Sequence, residues 1–472
     1  LDRSLLAPPE TVPSHLAAGR VLAAPAVSRL RIPPADISLR DGFALRAADT
    51  AKASPEAPAR LTLNRDCLAV FTGQNIPRGF DAVVMNEDIR LEEETVAASA
   101  PVASGAYVRS AGRDASPGRA VLFPNHVVAP RDIAGLLTAG VYEVLVHPRP
   151  KAVFIPTGDE LLAFARRPAP GEGQAVESNS QVFLAMAAEL GVAAASALPV
   201  RDDPNAIRAA AQSALDGGAH LVAIGAGSSF SGRDHSRTVI ESMGRVLSHG
   251  LAVHRGRLLA CVPGPPPSSA AFCEEILAPI LAWFARRSLP AREVVQARLA
   301  RDIDAGEGWL EAVRVQLAEI DDRFIARPLS RAAGAATGLC RTQALMRLPP
   351  EPKGLAEGDV VDAELLVPAE EIRRGVLLVG RDHPALDRLA AILAERDAPL
   401  QLLCDWRPDR EALADLQHGR AHAACVAVEN APPDACAATL APGMVIVVTP
   451  EARQAQYAQA LLEGGQTLNA AP

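Results

Sequence analysis

The chain has 472 residues, 49% of them hydrophobic and 22% charged, with a formal net charge of -8. That length exceeds one ordinary core and implies several domains, while the composition argues against wholesale disorder. The acidic balance supplies no general basic field for nucleic acid or an anionic membrane, and no apolar run approaches the ~20 residues that cross a bilayer. With no secretory pattern at Leu1-Asp2-Arg3-Ser4, the expectation is a soluble, multidomain cytoplasmic protein. Seven cysteines fall in no CxxC or zinc spacing and read as reduced, mostly buried thiols.

In chain order, residues 4–24 read as helical, and Arg31-Ile32-Pro33-Pro34 ends that pattern. From 31 to 118, short apolar runs such as Cys67-Leu68-Ala69-Val70 and Ala82-Val83-Val84-Met85 predict a small β-rich domain. A helix over 130–138 follows, then a strand near 141–146. Residues 148–288 alternate strands with helices: strand 151–156, helix 180–190, strand 192–200, a helix opened by Asp203 and Pro204, and strand 220–224. This alternation predicts a doubly wound parallel sheet, whose functional loops lie at the carboxyl ends of strands. Alternating strands return over 289–369 and predict a small β-barrel. Strands near 375–379, 401–404 and 424–428, with helices 384–396 and 408–417, make 370–472 another α/β lobe. The fold class is therefore multidomain α/β.

Several loops have chemical potential, each with a plainer alternative. Asp41-Gly42 is the commonest kind of turn dipeptide. The adjacent carboxylates of Thr157-Gly158-Asp159-Glu160 suit Mg²⁺ or a helix cap equally. Asp202-Asp203 reads mainly as capping. In Gly225-Ala226-Gly227-Ser228-Ser229, small residues after a buried strand let backbone N–H groups approach a phosphate, although the pattern is neither a Walker loop nor GxGxxG. Asp234 adds a carboxylate nearby. The stiff loop Val262-Pro263-Gly264-Pro265-Pro266 delivers Ser268 or Ser269 as the cap of an apolar helix, and lines a pocket or merely turns the chain. His383, His418 and His422 have no partners at ligand spacing and read as structural.

Taken together, these pieces resemble the molybdopterin molybdenumtransferase family, the MoeA proteins and the E domain of gephyrin. Asp41-Gly42-Phe43-Ala44 is similar to the family's Asp-Gly-Tyr-Ala, and Thr72-Gly73 through Pro77-Arg78-Gly79-Phe80-Asp81-Ala82-Val83-Val84 to its Thr-Gly…Pro-x-Gly-x-Asp-Ala-Val-Val. Gly112-Arg113-Asp114 stands for Gly-Glu-Asp, Thr157-Gly158-Asp159-Glu160-Leu161 is unaltered, and Glu177-Ser178-Asn179 replaces Asp-Ser-Asn. The resemblance covers residues 4–369.

It implies a helical segment (1–30 with 119–147), a β-rich insertion domain (31–118), a doubly wound molybdopterin-binding domain (148–288) and a β-barrel domain (289–369). The remaining lobe (370–472) resembles part of a periplasmic-binding-type domain through Val376-Leu377-Leu378-Val379-Gly380-Arg381-Asp382-His383-Pro384. It further implies a homodimer whose cleft joins one subunit's doubly wound domain to the other's insertion domain. The implied reaction inserts molybdenum from molybdate into adenylylated molybdopterin, releasing AMP with Mg²⁺ present. The molybdopterin adenylyltransferase is a candidate partner. By position, Asp41, Thr72, Asp114, Glu160, Asp202 and Asp234 match the family's functional residues, with Glu160, Asp202 and Asp234 organising the metal. Gly227, Ser228 and Ser229 would hold the pterin phosphate, with Arg257, Pro263 and Pro266 beside them.

Three departures stand out. The family's Gly-Gly-Val-Ser-x-Gly is here Gly225-Ala226-Gly227-Ser228-Ser229-Phe230-Ser231; its Lys-Pro-Gly-Lys-Pro is His254-Arg255-Gly256-Arg257-Leu258; and its Leu-Pro-Gly-Asn-Pro is Val262-Pro263-Gly264-Pro265-Pro266. They leave a second reading open: a relative without turnover that carries or senses molybdopterin or an oxyanion.

Overall fold

The computed structural model describes residues 1–225, 235–248, 250–304, 310–331, 336–348, 354–449 and 456–470. The chain divides into two compact units. The first holds Leu1–Val262 and Cys273–Leu289, the second Pro263–Phe272 and Pro290–Pro472.

In the first unit the amino-terminal stretch is not a helix. Arg3–Leu5 forms one 3₁₀ turn, Glu10–Pro13 pairs antiparallel with Glu143–Val146, and Ser14–Leu16 forms a second 3₁₀ turn. Pro8, Pro9 and Pro13 interrupt the N–H ladder that the many alanines would otherwise support, and Gly19 takes a left-handed φ of +74°. A β-rich region follows, with a three-stranded sheet of β1 (Gly42–Leu45), β2 (Cys67–Val70) and β3 (Ala82–Met85), β1 in the middle. Helix α1 (Pro130–Thr138) starts on a proline that already has helical φ.

The doubly wound sheet contains β4 (Lys151–Pro156), β5 (Ala193–Ser196), β6 (Leu221–Gly225), β7 (Arg245–Ser248), β8 (Leu251–His254) and β9 (Arg257–Val262), in spatial order β5-β4-β6-β9-β8-β7. The first four are parallel and the last two antiparallel, so the sheet is mixed rather than all-parallel. Helices α2 (Asn179–Glu189), α3 (Pro204–Asp216) and α4 (His235–Met243) accompany it. Asp203 caps α3 by accepting the Ala206 N–H at 2.8 Å. One core cluster sets Ile207, Ala211 and Leu215 of α3 and Val239 and Ile240 of α4 against Ile155, Val222 and Ile224.

In the second unit, β10 (Val294–Leu299), β11 (Glu311–Ile320), β12 (Arg323–Pro328), β13 (Ala344–Leu348) and β14 (Val360–Leu365) close a barrel in the order β10-β12-β11-β13-β14. Val313, Val315 and Leu317 of β11 fill its interior. The opposite face of that strand carries Gln316, Ala318 and Ile320, as the two-residue period requires. A second α/β sheet follows, made of β15 (Gly375–Gly380), β16 (Gln401–Trp406), β17 (Ala423–Ala427), β18 (Cys436–Ala441) and β19 (Met444–Val448), ordered β16-β15-β17-β19-β18.

Its run Val376-Leu377-Leu378-Val379 is continuously apolar because both faces are covered. Val376 and Leu378 meet α5 (Ala385–Ala394) and α7 (Gln456–Ala470), whereas Leu377 and Val379 share a core with α6 (Asp409–Gln417) and with Ala318, Ile320 and Ile325 of the barrel. Arg327 of β12 is 3% exposed through its side chain and donates to Asp405 (2.9 Å) and Asp415 (2.5 Å). The lobe and the barrel therefore share one core and one buried ion-pair network.

The stiff proline loop differs from expectation. Ser268 and Ser269 lie inside the helical segment Pro266–Phe272 rather than at its cap, because Pro266 itself starts the helix.

Candidate functional site

In the insertion region, the Asp-Gly pair is the entrance to a central strand, not a plain turn. Gly42 lies between Val70 and Met85 in the sheet, and a Cβ there would come within 2.0 Å of the Val84 carbonyl oxygen. Only glycine permits that approach. The strand holds Asp41 at the sheet edge, where its Oδ1 accepts the Thr72 N–H at 2.7 Å and the Thr72 hydroxyl at 2.9 Å. These bonds hold the Asp41 carboxyl below its ordinary range. Asp41 and Thr72, far apart in sequence, are thus one unit.

Asp114 makes a separate contact. Its backbone N–H donates to Ile32 and its carboxylate pairs with Arg109 on the exposed surface. Sequence reasoning missed Arg109, because its partnership depends on how the segment 109–114 folds back.

The second group of residues gathers at the carboxyl edge of the doubly wound sheet. Strand β4 is flanked by β5 on one side and β6 on the other, so connections leave it in opposite directions and open a crevice at the strand ends. Thr157, fully buried, bridges that crevice: its N–H and its hydroxyl both donate to the Gly225 carbonyl, at 2.9 and 2.6 Å. Gly158 N–H donates to Val200 at 3.1 Å. Three loops are therefore tied together, those beginning at Thr157, Val200 and Gly225.

Glu160 folds back over the first loop. Its two carboxylate oxygens lie 2.7 Å from where a Cβ on Gly158 would be, and Gly158 has φ +148°. At Gly225 a Cβ would crowd the Phe154 ring, 2.7 Å away. Asp159 faces Arg201 at 3.8 Å, both largely exposed. Asp202 follows directly on that second loop. Glu177 is buried and is a helix cap, accepting from the Ser180 N–H (2.8 Å) and hydroxyl (2.5 Å).

The structure thus brings Glu160 and Asp202 to one edge and pairs Asp41 with Thr72. Gly227, Ser228, Ser229 and Asp234 lie outside the described residues. Pro263 and Pro266 pack within the second unit.

Arg257 is a correction. It opens β9 at a two-residue hairpin in which Arg255 and Gly256 both have positive φ (+47° and +82°), and β9 runs parallel to β6. Its guanidinium therefore sits at the amino-terminal edge, five residues or roughly 16 Å from the loop edge. There it donates to Leu215 O at 2.5 Å, closing the carboxyl end of α3.

Among the described residues, no three His, Cys, Asp or Glu side chains gather as a ready cation site. Glu160 and Asp202 are still hard oxygen donors of the kind Mg²⁺ takes, and Mg²⁺ usually needs only one or two protein carboxylates beside substrate phosphates. The donor set fits. No described helix is long and apolar enough to cross a membrane. The three histidines of the lobe are structural: His383 caps α5 through Ala385 N–H, His418 bonds Ala414 O, and His422 bridges Leu377 N–H and Glu319 O.

Comparison with known proteins agrees with this architecture. Residues 1–140 match the MoeA N-terminal region (domains I and II), 153–283 a probable molybdopterin binding domain, and 296–366 the MoeA C-terminal region (domain IV). The chain is 29% identical over 302 residues to a molybdopterin molybdenumtransferase of Synechococcus elongatus, covering 58% of this chain and 74% of that protein. It is 27% identical over 351 residues to molybdopterin molybdenumtransferase 1 of Mycobacterium tuberculosis, covering 70% and 81%. A molybdopterin biosynthesis MoeA protein of Pyrococcus horikoshii superposes with a TM-score of 0.60 at 25% identity, over 76% of this chain and 94% of that one. The MoeA N-terminal region, a molybdopterin binding domain and the MoeA C-terminal region follow one another along the chain, and with the likeness to the MoeA structure they establish that this chain belongs to the MoeA family.

Proposed function

We propose that the protein is a molybdopterin molybdenumtransferase, inserting molybdenum from molybdate into adenylylated molybdopterin with release of AMP. The observation that carries this reading is the Thr157–Gly225 tie, which gathers the Glu160, Asp202 and Gly225 loops over the crevice of the doubly wound sheet. Family membership and the names of the relatives support it. Water cleaves the phosphoanhydride to give AMP and the pterin monophosphate, and the two dithiolene sulfurs displace two oxo groups of molybdate, which take up protons and leave as water while molybdenum stays at Mo(VI). Glu160 and Asp202, with Asp234, would hold Mg²⁺, which when bound offsets the charge on the anhydride and the molybdate. The loop Gly227-Ser228-Ser229 would offer backbone N–H groups to the pterin phosphate.

Asp41, kept ionised by Thr72, and Asp114 would reach the cleft from the second subunit of a homodimer. The division into a linker segment, an insertion domain, a doubly wound domain and a barrel belongs to the same reading, as do a cytoplasmic location and delivery of substrate by the adenylyltransferase. A carrier or sensor without turnover is the second reading, and what favours it is the tight Arg255–Gly256 hairpin that leaves Arg257 at the far edge. The test is a reconstituted assay with purified protein, adenylylated molybdopterin, Mg²⁺ and molybdate. Molybdate-dependent AMP release, abolished by Glu160→Ala and by Asp41→Ala with the fold retained, is expected. Tight pterin binding without AMP release would replace the enzyme by the carrier.

A further inference from the structure

The second unit contains a cavity of about 310 Å³ between the outer face of the barrel and the carboxyl-terminal sheet. Its most informative wall residue is Gln316. This side chain points out of the barrel, away from Val315 and Leu317, and the residue is only 3% exposed because the lobe covers that face. Among the described residues its carboxamide has no hydrogen-bond partner, and it opens onto the cavity rather than being sealed in the protein, so its donor and acceptor are presented to whatever fills that space. Beside it, Gln343 is 7% exposed and accepts the Leu317 N–H at 2.9 Å, so its amide N–H₂ remains to donate.

The charge of the wall excludes an oxyanion. Asp382, Asp387 and Glu371 supply three carboxylates against the single guanidinium of Arg341. Among the described residues, Asp382 and Asp387 make no ion pair. Trp406 contributes an indole that is 41% exposed, and Leu386 and Leu403 an apolar floor. An amide edge, surplus acceptors and an aromatic plate together match a flat ring that presents several N–H donors beside a carbonyl or ring nitrogen.

We propose that this cavity is a second small-molecule site, taking a planar amino-substituted nitrogen heterocycle of the 2-amino-4-oxopyrimidine kind, with the ring edge on Gln316 and its amino donors on Asp382 and Asp387. The site is built from residues of the second unit alone and does not depend on the activity proposed for the loops of the doubly wound sheet.

The probe is free pterin, 2-amino-4-oxopteridine, which lacks both phosphate and dithiolene, titrated against the full chain and followed by its own fluorescence anisotropy. Saturable binding is expected, weakened about tenfold or more by Trp406→Leu and by Asp387→Asn, as befits loss of a stacking face or a charged acceptor. Both positions are exposed enough for the fold to survive, which melting curves check, and AMP release should be unaltered in both. Glu160→Gln should leave pterin binding unchanged, and millimolar molybdate should not displace the ring. Absence of saturable binding up to about 1 mM, equal binding in both lobe variants, loss of binding in Glu160→Gln, or displacement by molybdate would each overturn the assignment.

Discussion

The chain builds the same sheet core twice, with different results. In both α/β sheets the first strand lies between the second and the third: β5-β4-β6 in the first unit and β16-β15-β17 in the second. Both first strands are tied to a histidine preceding the third strand. His220 accepts the Lys151 N–H, and His422 accepts the Leu377 N–H. Both crevices have a glycine where a Cβ would be crowded, Gly225 by the Phe154 ring and Gly380 by the Cys425 carbonyl.

The loops above them diverge. Over the first crevice Asp159 and Arg201 are largely exposed and make only a long contact. Over the second, Asp409 is 8% exposed and already engaged, accepting from Arg381 (2.6 Å), Asn430 (2.7 Å) and Ala427 N–H (3.1 Å). One crevice leaves the Asp159 carboxylate largely exposed, and the other buries its Asp409 carboxylate to hold itself together. Topology offers a place for a site; side chains decide whether it becomes one. In the second unit the available polar groups have moved to the barrel-facing cavity.

The comparison can be broken first at its glycines. A Cβ on Gly380 would meet the Cys425 carbonyl oxygen at 2.0 Å, a backbone atom, with φ at +133°. Gly380→Ala should cost about 4 kcal/mol in chemical unfolding, whereas Gly225→Ala, opposed only by the Phe154 ring, should cost about 1 kcal/mol. Equal losses would mean that the two crevices are not built alike.

Next comes the clamp between barrel and lobe. Arg327→Ala leaves Asp415 buried with one cation fewer and should destabilise the second unit by about 3 kcal/mol. Truncation after residue 369 would bare Ala318, Ile320 and Ile325 as well, so an aggregating barrel is expected rather than a soluble one. A monodisperse truncated protein would show that the lobe is a mere appendage.

The histidines give a smaller effect with a definite sign. Burial drives the His422 pKa down from 6.5 to about 4. The unfolded chain therefore binds a proton between these values that the folded one does not, so stability is full above pH 6.5 and falls as pH drops toward 4. The loss is on the order of 2–3 kcal/mol and should vanish in His422→Gln. His220 is lowered in the same direction, chiefly by burial, and should add to the slope. A flat stability profile between pH 4 and 6.5 would contradict this.

Smallest of all is Arg257→Ala. At the amino-terminal edge the guanidinium caps α3, so KM for the pterin substrate should change by less than about twofold. A large rise in KM would restore Arg257 to the phosphate site.

Much of this was legible in the residue string, for identifiable reasons. The βα alternation, the Asp203-Pro204 start of α3 and the continuous apolar run of β15 are local signals, written within one element. The loops Thr157–Glu160 and Gly225 onward were visible as polar or glycine-rich breaks after apolar strands. Residues 4–24 misled because alanine and leucine favour a helix only where the backbone ladder is intact, and prolines interrupt it there. Arg109 and Gln316 gave no signal, since one depends on a folded-back segment and the other on a lobe that covers an outward strand face.

The sequence by itself determined the element types, the glycines that only close approach explains, and the acidic and hydroxyl residues that mark the family. Those are properties of a residue and its immediate neighbours. Tertiary structure alone decided that Thr72 holds Asp41, that Thr157 ties three loops at one crevice, and that Arg257 stands at the wrong edge for a phosphate. It also decided that Gln316 faces a cavity. Each of these depends on strand order, strand direction and which face is covered, and such pairings join residues that the chain itself keeps far apart.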